Sequence, residues 1–316
     1  MNKVSIIIPL HNAVAFVNEA IDSCLNQTYA NIEVIVVENG SKDGSWDCLQ
    51  GYEDSRLIVH QIEAASATIA RNYGYKKSTG NYIMFLDADD VLSLDKVENQ
   101  MALFKVFGND VLISCAWGKF TKTITEALFT PQNVWNDFTP VDWLVTSWSG
   151  GGMMQTGCWL ASRKLIERAG LWNESLLQNP NDDGEFFCRM ILNSKSVKFD
   201  KKSLLYYRIP QADNVSQNRS RTAISSLLKS YLSYQTEILK TENSKRVKLA
   251  LGYNYLSFIY QYHWYYPELS SRAKKYFYAL NIGKMWAVGS EKFQIMVNLF
   301  GFKCALFLTS IKRYFI

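Results

Sequence analysis

The sequence predicts an α/β protein, a doubly wound and mostly parallel sheet followed by a C-terminal helical extension. Three observations carry this. Short apolar runs recur through the first ninety residues, as strands buried on both faces require. Segments with helical spacing separate them, giving the strand–helix alternation of right-handed crossovers. Beyond residue 218 the turn chemistry of strands gives way to long basic and aromatic stretches.

Val4–Pro9 is the first apolar run, and Val14, Val17, Ile21 and Leu25 then mark a helix over 14–26. Ile32–Val37 is the second run and ends in the turn Glu38-Asn39-Gly40-Ser41. A helix is predicted from about Asp43, a strand near Leu57–His60 and a helix over Ala65–Lys77. Tyr82–Leu86 is a further strand and runs directly into Asp87-Ala88-Asp89-Asp90. Residues 110–215 are mixed, with a flexible Gly150-Gly151-Gly152 and a helix-like Phe186–Leu192. Residues 220–260 and 268–316 read as helices. The organisation predicted is 1–100 for nucleotide binding, 101–218 for the acceptor side and 219–316 as a basic tail.

Composition narrows the function. With 48% hydrophobic and 20% charged residues the chain is globular rather than disordered. Six scattered cysteines without a C-x-x-C pair argue against a zinc site or a disulfide framework and suit a reducing compartment. No signal segment precedes the first strand, so a cytoplasmic protein is expected. Residues 219–316 hold 15 Lys/Arg against 4 Asp/Glu, leaving 19 against 25 for residues 1–218 of the chain's 34 and 29. An acidic body suits divalent-metal chemistry, and a basic aromatic tail suits a phosphate-bearing surface. The basic residues are dispersed and match no nucleic-acid motif, so no nucleic-acid partner is expected.

Ligands in a doubly wound sheet bind beyond the carboxyl ends of the strands. That directs attention to Pro9–Asn12, Glu38–Asp43 and Asp87–Asp90. Three acids in four residues repel one another, and Mg²⁺ or Mn²⁺ relieves such repulsion. A solvated turn or a helix cap explains the same letters. So does a phosphatase loop of the haloacid-dehalogenase kind with Asp87 as nucleophile, although that loop belongs on a first strand. The first strand lacks the glycines of a dinucleotide-binding turn.

Five stretches together resemble the inverting family-2 glycosyltransferases. They are Ser5-Ile6-Ile7-Ile8-Pro9-Leu10-His11-Asn12, Ser23-Cys24-Leu25-Asn26-Gln27-Thr28-Tyr29, Val36–Ser45, Ala70-Arg71-Asn72-Tyr73-Gly74 and Gly80–Asp90. The resemblance implies a GT-A fold, a nucleotide-sugar donor and a divalent metal. It places Pro9, Leu10, His11, Asn12, Glu38, Asn39, Arg71, Asp87 and Ala88 on the donor nucleotide, and Asp89 on the metal. Glu38-Asn39 stands where the family carries Asp-Asp, and an Asn amide still reads a pyrimidine by donating and accepting.

Gln178–Phe187 resembles the family's second acidic motif, which implies Asp183 as general base, with Asp182 the alternative. A helix start with Glu185 facing Arg189 accounts for the same acids. Gly151 and Gly152 fall where the family's acceptor side begins, and a plain flexible loop is the other reading. Trp159 and Trp172 are expected in the core. Tyr206-Tyr207-Arg208, with Ser216 beyond, resembles the family's closing segment; Arg208 is expected on the diphosphate or in a surface ion pair. The acceptor expected is a glycan or a lipid-linked saccharide. An inactive sugar-nucleotide-binding subunit is the alternative that Asn39 leaves open.

Lys303 interrupts the apolar stretch Phe293–Ile311 and makes a membrane span costly. An amphipathic helix on an anionic membrane at the inner face of the cell, or a helix packed on the domain, is expected instead.

Overall fold

The computed structural model describes residues 2–63, 66–209 and 218–314, with side chains of the last helix described as far as residue 309. The first half is β1 (Val4–Leu10), α1 (Val17–Leu25), β2 (Ile32–Asn39), α2 (Ser45–Leu49), β3 (Leu57–Ile62), α3 (Ala67–Lys77), β4 (Tyr82–Phe85) and β5 (Val91–Leu92). The second is α4 (Lys96–Phe107), β6 (Val111–Phe120), α5 (Pro140–Thr146), β7 (Leu160–Ser162), α6 (Arg163–Ala169), α7 (Asp182–Asn193) and β8 (Ser196–Arg208). Five helices follow: α8 (Arg221–Thr241), α9 (Lys245–Tyr262), α10 (Pro267–Ala279), α11 (Glu291–Phe300) and α12 (Phe302–Tyr314).

All eight strands form one sheet in the order β3-β2-β1-β4-β7-β6-β8-β5. The run from β3 to β4 is parallel, as the apolar runs predict. Val4, Ile6, Ile7, Ile8 and Leu10 are fully buried, and helices cover both faces. α1 buries Val17, Ala20, Ile21 and Cys24 at helical spacing. In α3, Ser66 caps by accepting from the Ile69 N–H, and Gly74 lets the helix lie on β1. A Cβ at Gly74 would stand 2.5 Å from Ile7 Cγ2.

The region that sequence left mixed completes the same sheet. β7 inserts antiparallel between β4 and β6, β8 runs parallel to β6, and β5 is antiparallel to β8. The boundary drawn at residue 100 therefore falls inside α4 of a continuous sheet.

The C-terminal helices pack on the domain as well as on one another. Asn179 Nδ2 donates to Ser230 Oγ (2.7 Å), and Ser233 Oγ donates to Glu185 Oε1 (2.9 Å), seating α8 on α7. The stretch around Phe293–Ile311 is broken at Gly301, whose φ of +78° is left-handed. Phe293, Val297, Phe302, Ala305 and Leu306 are buried, whereas Ile295, Leu299, Phe300, Phe307 and Leu308 are exposed. Among the described residues no helix is long and apolar enough to cross a membrane.

Candidate active site

The loops after β1 and β2 are fastened to each other. The Asn12 N–H donates to Ser41 Oγ (3.0 Å), and Asn12 Oδ1 accepts from the Lys42 N–H (2.8 Å). The ring Nδ1 of His11 lies 2.9 Å from the Asn39 carbonyl oxygen. Asn12 itself sits at φ +49°, a conformation asparagine tolerates. Glu38 and Asn39 are buried. Burial alone would raise the pKa of Glu38. Hydrogen bonds from Ser41 and Gln61 outweigh it and hold the carboxyl below its usual range. Glu38 thus shapes the turn, and Pro9, Leu10, His11, Asn12 and Asn39 gather with it at one edge.

The acidic triplet divides into three environments. Asp87, half-buried, takes an ion pair from Arg71 Nη2 at 2.8 Å. Asp90 is fully buried and accepts from the Arg208 N–H (3.0 Å), while its Oδ2 has no partner. Burial, then the Asp89 and Asp87 charges, raises Asp90 well above the usual range. Asp89 makes no ion pair among the described residues. Burial and then Asp87 push it up to about 6. Ala88 is buried between them.

Arg208 is not at the surface. It is buried between the rings of Phe16 and Phe120, at 4.6 and 4.3 Å, and pairs with Glu19. Its Nε donates to the Asp89 carbonyl (3.0 Å), and Nη1 reaches the carbonyls of Thr121 and Lys122. The surface ion pair is corrected to a buried clamp that uses these donors on protein and fixes the acidic loop. Ser216 lies outside the described residues.

Arg71 is the hinge pin of the site. Buried on α3 and stacked 4.4 Å over Trp172, it donates to Asp87 through Nη2 and to Asp182 through Nη1, both at 2.8 Å. It joins the end of β4 to the start of α7. Asp182 also accepts from Thr68 Oγ1 (3.2 Å) and from the Asp183 N–H (2.9 Å), so its carboxylate is committed. Among the described residues Asp183 accepts a hydrogen bond only from the adjacent Gly184 N–H (2.8 Å). Burial, then the Asp182 charge, pushes Asp183 up to about 7.

Asp183 opens on a cavity of about 430 Å³ that sequence reasoning missed. It is lined by Trp143 and Trp148, by Tyr231 and Tyr234 of α8, and by Tyr253 and Asn254 of α9. Trp148 stacks on Tyr234 at 5.1 Å and 13°. Trp143 Nε1 and Asn254 Nδ2 are buried without hydrogen-bond partners, which is costly unless a ligand supplies acceptors. The sequence signal was the crowding of aromatics in the last third. Gly150 and Gly152 line the cavity, but Gly151 instead packs on Thr146, where a Cβ would stand 2.6 Å from Thr146 Cγ2. Trp159 and Trp172 are each 2% exposed and belong to the core, as expected, although Trp159 also edges the cavity.

Among the described residues no group of three acids, histidines or cysteines is assembled to hold a metal. The donor set nevertheless fits a hard cation. The Asp87 charge raises the cost of ionising Asp89, and Mg²⁺ or Mn²⁺ is commonly held by one or two carboxylates plus substrate phosphates.

The profile of the glycosyl transferase family 2 matches residues 5–169. An uncharacterized glycosyltransferase, RT0329 of Rickettsia typhi, is 31% identical over 215 residues, 67% of this chain and 66% of that protein. The Escherichia coli protein WfaP, a UDP-Glc:alpha-D-GlcNAc-diphosphoundecaprenol beta-1,3-glucosyltransferase, is 30% identical over 236 residues, 73% of this chain and 87% of its own. In fold, the chain resembles the crystal structure of residues 1–349 of S. aureus TarS in complex with UDP-GlcNAc. The TM-score is 0.71 at 18% identity, covering 87% of this chain and 80% of that one. The likeness shows the GT-A fold. The family match displaces the phosphatase reading of Asp87, whose carboxylate is in any case held by Arg71. The chain is a glycosyltransferase and belongs to glycosyl transferase family 2.

Proposed function

We propose that the chain is an inverting glycosyltransferase that moves a sugar from a UDP-sugar to a hydroxyl of a glycan or lipid-linked saccharide. Asp183 is its general base. The observation that carries this reading is the contrast at the start of α7. Asp182 is tied down by Arg71 and Thr68, whereas Asp183 faces the aromatic cavity and is pushed up to about 7. A base with that pKa is matched to neutral pH.

In this reading the acceptor ring enters the cavity among Trp143, Trp148 and Asn254. Asp183 takes the hydroxyl proton as the oxygen attacks the anomeric carbon. The new C–O bond forms on the face opposite the diphosphate, the bond to the diphosphate oxygen breaks, and the configuration inverts. Glu38 and Asn39, with Pro9–Asn12, form the nucleoside edge, and Arg71 holds Asp87 in place beside the ribose. Asp89 would hold a divalent cation, Mn²⁺ or Mg²⁺, which when bound would neutralise charge on the departing diphosphate. WfaP's lipid-linked substrate supports an acceptor of that class, and UDP-GlcNAc on TarS supports a UDP donor. The exposed apolar side of α11 and α12, in a region with 15 Lys/Arg against 4 Asp/Glu, supports peripheral attachment to an anionic membrane.

The test is nucleoside diphosphate release from UDP-, GDP- and dTDP-sugars with Mn²⁺, with and without EDTA. Turnover of a UDP-sugar that EDTA and Asp89→Ala abolish is expected. Binding of a UDP-sugar with no turnover, even with lipid-linked saccharides supplied, would turn the reading towards an inactive binding subunit.

A further inference from the structure

We propose that a pocket between α9, α10 and α12 takes the phosphate of an anionic phospholipid headgroup when the chain lies on a membrane. The pocket has a volume of about 310 Å³ and is lined by Ser270, Ser271, Lys274 and Lys303, with His263 as a wall and Phe307 at its side. No described carboxylate lines it, so its two lysines meet no counter-charge among the lining residues. Ser270 is 1% exposed, and its Oγ is buried with no hydrogen-bond partner among the described residues. An orphan buried hydroxyl costs stability unless a ligand meets it. Two lysines and two serine hydroxyls match the charge and acceptor capacity of a phosphate. The ring of His263 is fixed rather than free: its Nδ1 lies 3.1 Å from the Ile259 carbonyl and 3.3 Å from that of Tyr260.

The position of the pocket selects a lipid over a soluble phosphate. Phe307, which lines it, is 66% exposed, and Leu308 beside it is also exposed. Across the Gly301 break, Ile295, Leu299 and Phe300 of α11 are exposed too. An apolar surface of this kind next to a cationic pocket has the two halves of an interfacial binding site: side chains for the acyl boundary and cations for the headgroup. Lys303, whose charge argues against a membrane span, becomes the residue that grips the surface.

The inference rests on the membrane-facing reading of α11 and α12 and is separable from it. Flotation of the full chain is compared on vesicles of phosphatidylcholine alone and of phosphatidylcholine with phosphatidylglycerol, at low salt. Wild type is expected on the anionic vesicles only. Lys274→Ala/Lys303→Ala is expected to weaken that binding about tenfold or more. Lys245→Ala/Lys248→Ala removes the same charge at the far end of α9 and is expected to change it less than threefold. Ser270→Val, which keeps the charge, is expected to weaken binding at least as much as the control double. Equal losses in the two lysine doubles would overturn the pocket in favour of diffuse charge. Full retention in the pocket double overturns it while leaving membrane attachment standing. Titration of inorganic phosphate, followed by NMR of the His263 ring, supplies the other arm. Phosphate binding in a chain that ignores vesicles, or self-association in its place, overturns the lipid assignment. UDP-sugar hydrolysis on the same preparation reports the transferase reading independently.

Discussion

Asp182 and Asp183 are adjacent and chemically identical, yet their surroundings give them different work. Arg71 and Thr68 occupy the first, and the second is left facing the cavity with its pKa at about 7. Asp183→Asn is expected to lower turnover by about 10²- to 10⁴-fold with little change in UDP affinity, read by steady-state kinetics and calorimetry. The wild-type rate should climb with pH and level off above about 7. Stability should move the other way. The folded chain keeps the Asp183 proton to higher pH than the unfolded chain, which releases it near about 4. Between those values the native state binds more protons, so stability falls as pH rises. Asp183→Asn removes that decline: its melting temperature should exceed wild type at about pH 8 and match it at about pH 4. An unchanged melting difference across that range would remove the case for a strained base. At this scale the sequence was legible where a residue follows a strand, since topology sends such residues to the ligand edge. It was not legible for Arg208, because nothing local shows that Phe16 and Phe120 enclose it.

The elements around the proposed acceptor cavity include α7, α8 and α9. α7 was visible as an amphipathic helix with acids at its start, because its apolar stripe buries Phe186, Phe187, Met190 and Ile191. The cavity it shares with α8 and α9 was not visible. Tyr234 and Asn254 join Asp183 in lining the cavity from more than forty residues away, and helical periodicity says which face is buried but not against what. The segment around Phe293–Ile311 failed differently: one apolar pattern was read as continuous, and a left-handed glycine divides it into two helices. Asn254 supplies the element-scale prediction. Asn254→Leu should raise the KM for a saccharide acceptor about three- to tenfold. Nucleoside diphosphate release without acceptor, measured alongside, separates this from damage to the donor side. An unaltered KM would take the orphan amide out of acceptor binding.

Across the whole molecule, one sheet carries both halves, and Arg71 ties them where they meet at the ligand edge. Arg71→Ala leaves Asp87 and Asp182 without their shared cation. It is expected to cost about 3 kcal/mol, read as a lower denaturant midpoint at unchanged slope, together with loss of most activity. Arg71→Lys should not restore both, since an ammonium cannot span two carboxylates as a guanidinium fork does. The parallel half of the sheet was legible from its apolar runs. The antiparallel insertion of β7 was not, because three residues carry no pattern of their own. The cavity is lined in part by α8 and α9, which lie beyond residue 169, where the family profile stops. On the proposed reading the two binding jobs are separately encoded. The residues set on the nucleotide sugar, from Pro9 to Asp89, lie inside the matched stretch, and the two helices set on the acceptor lie outside it. Substitutions in α8 and α9 would then change which acceptor is taken while the chemistry at the sheet edge stays where it is.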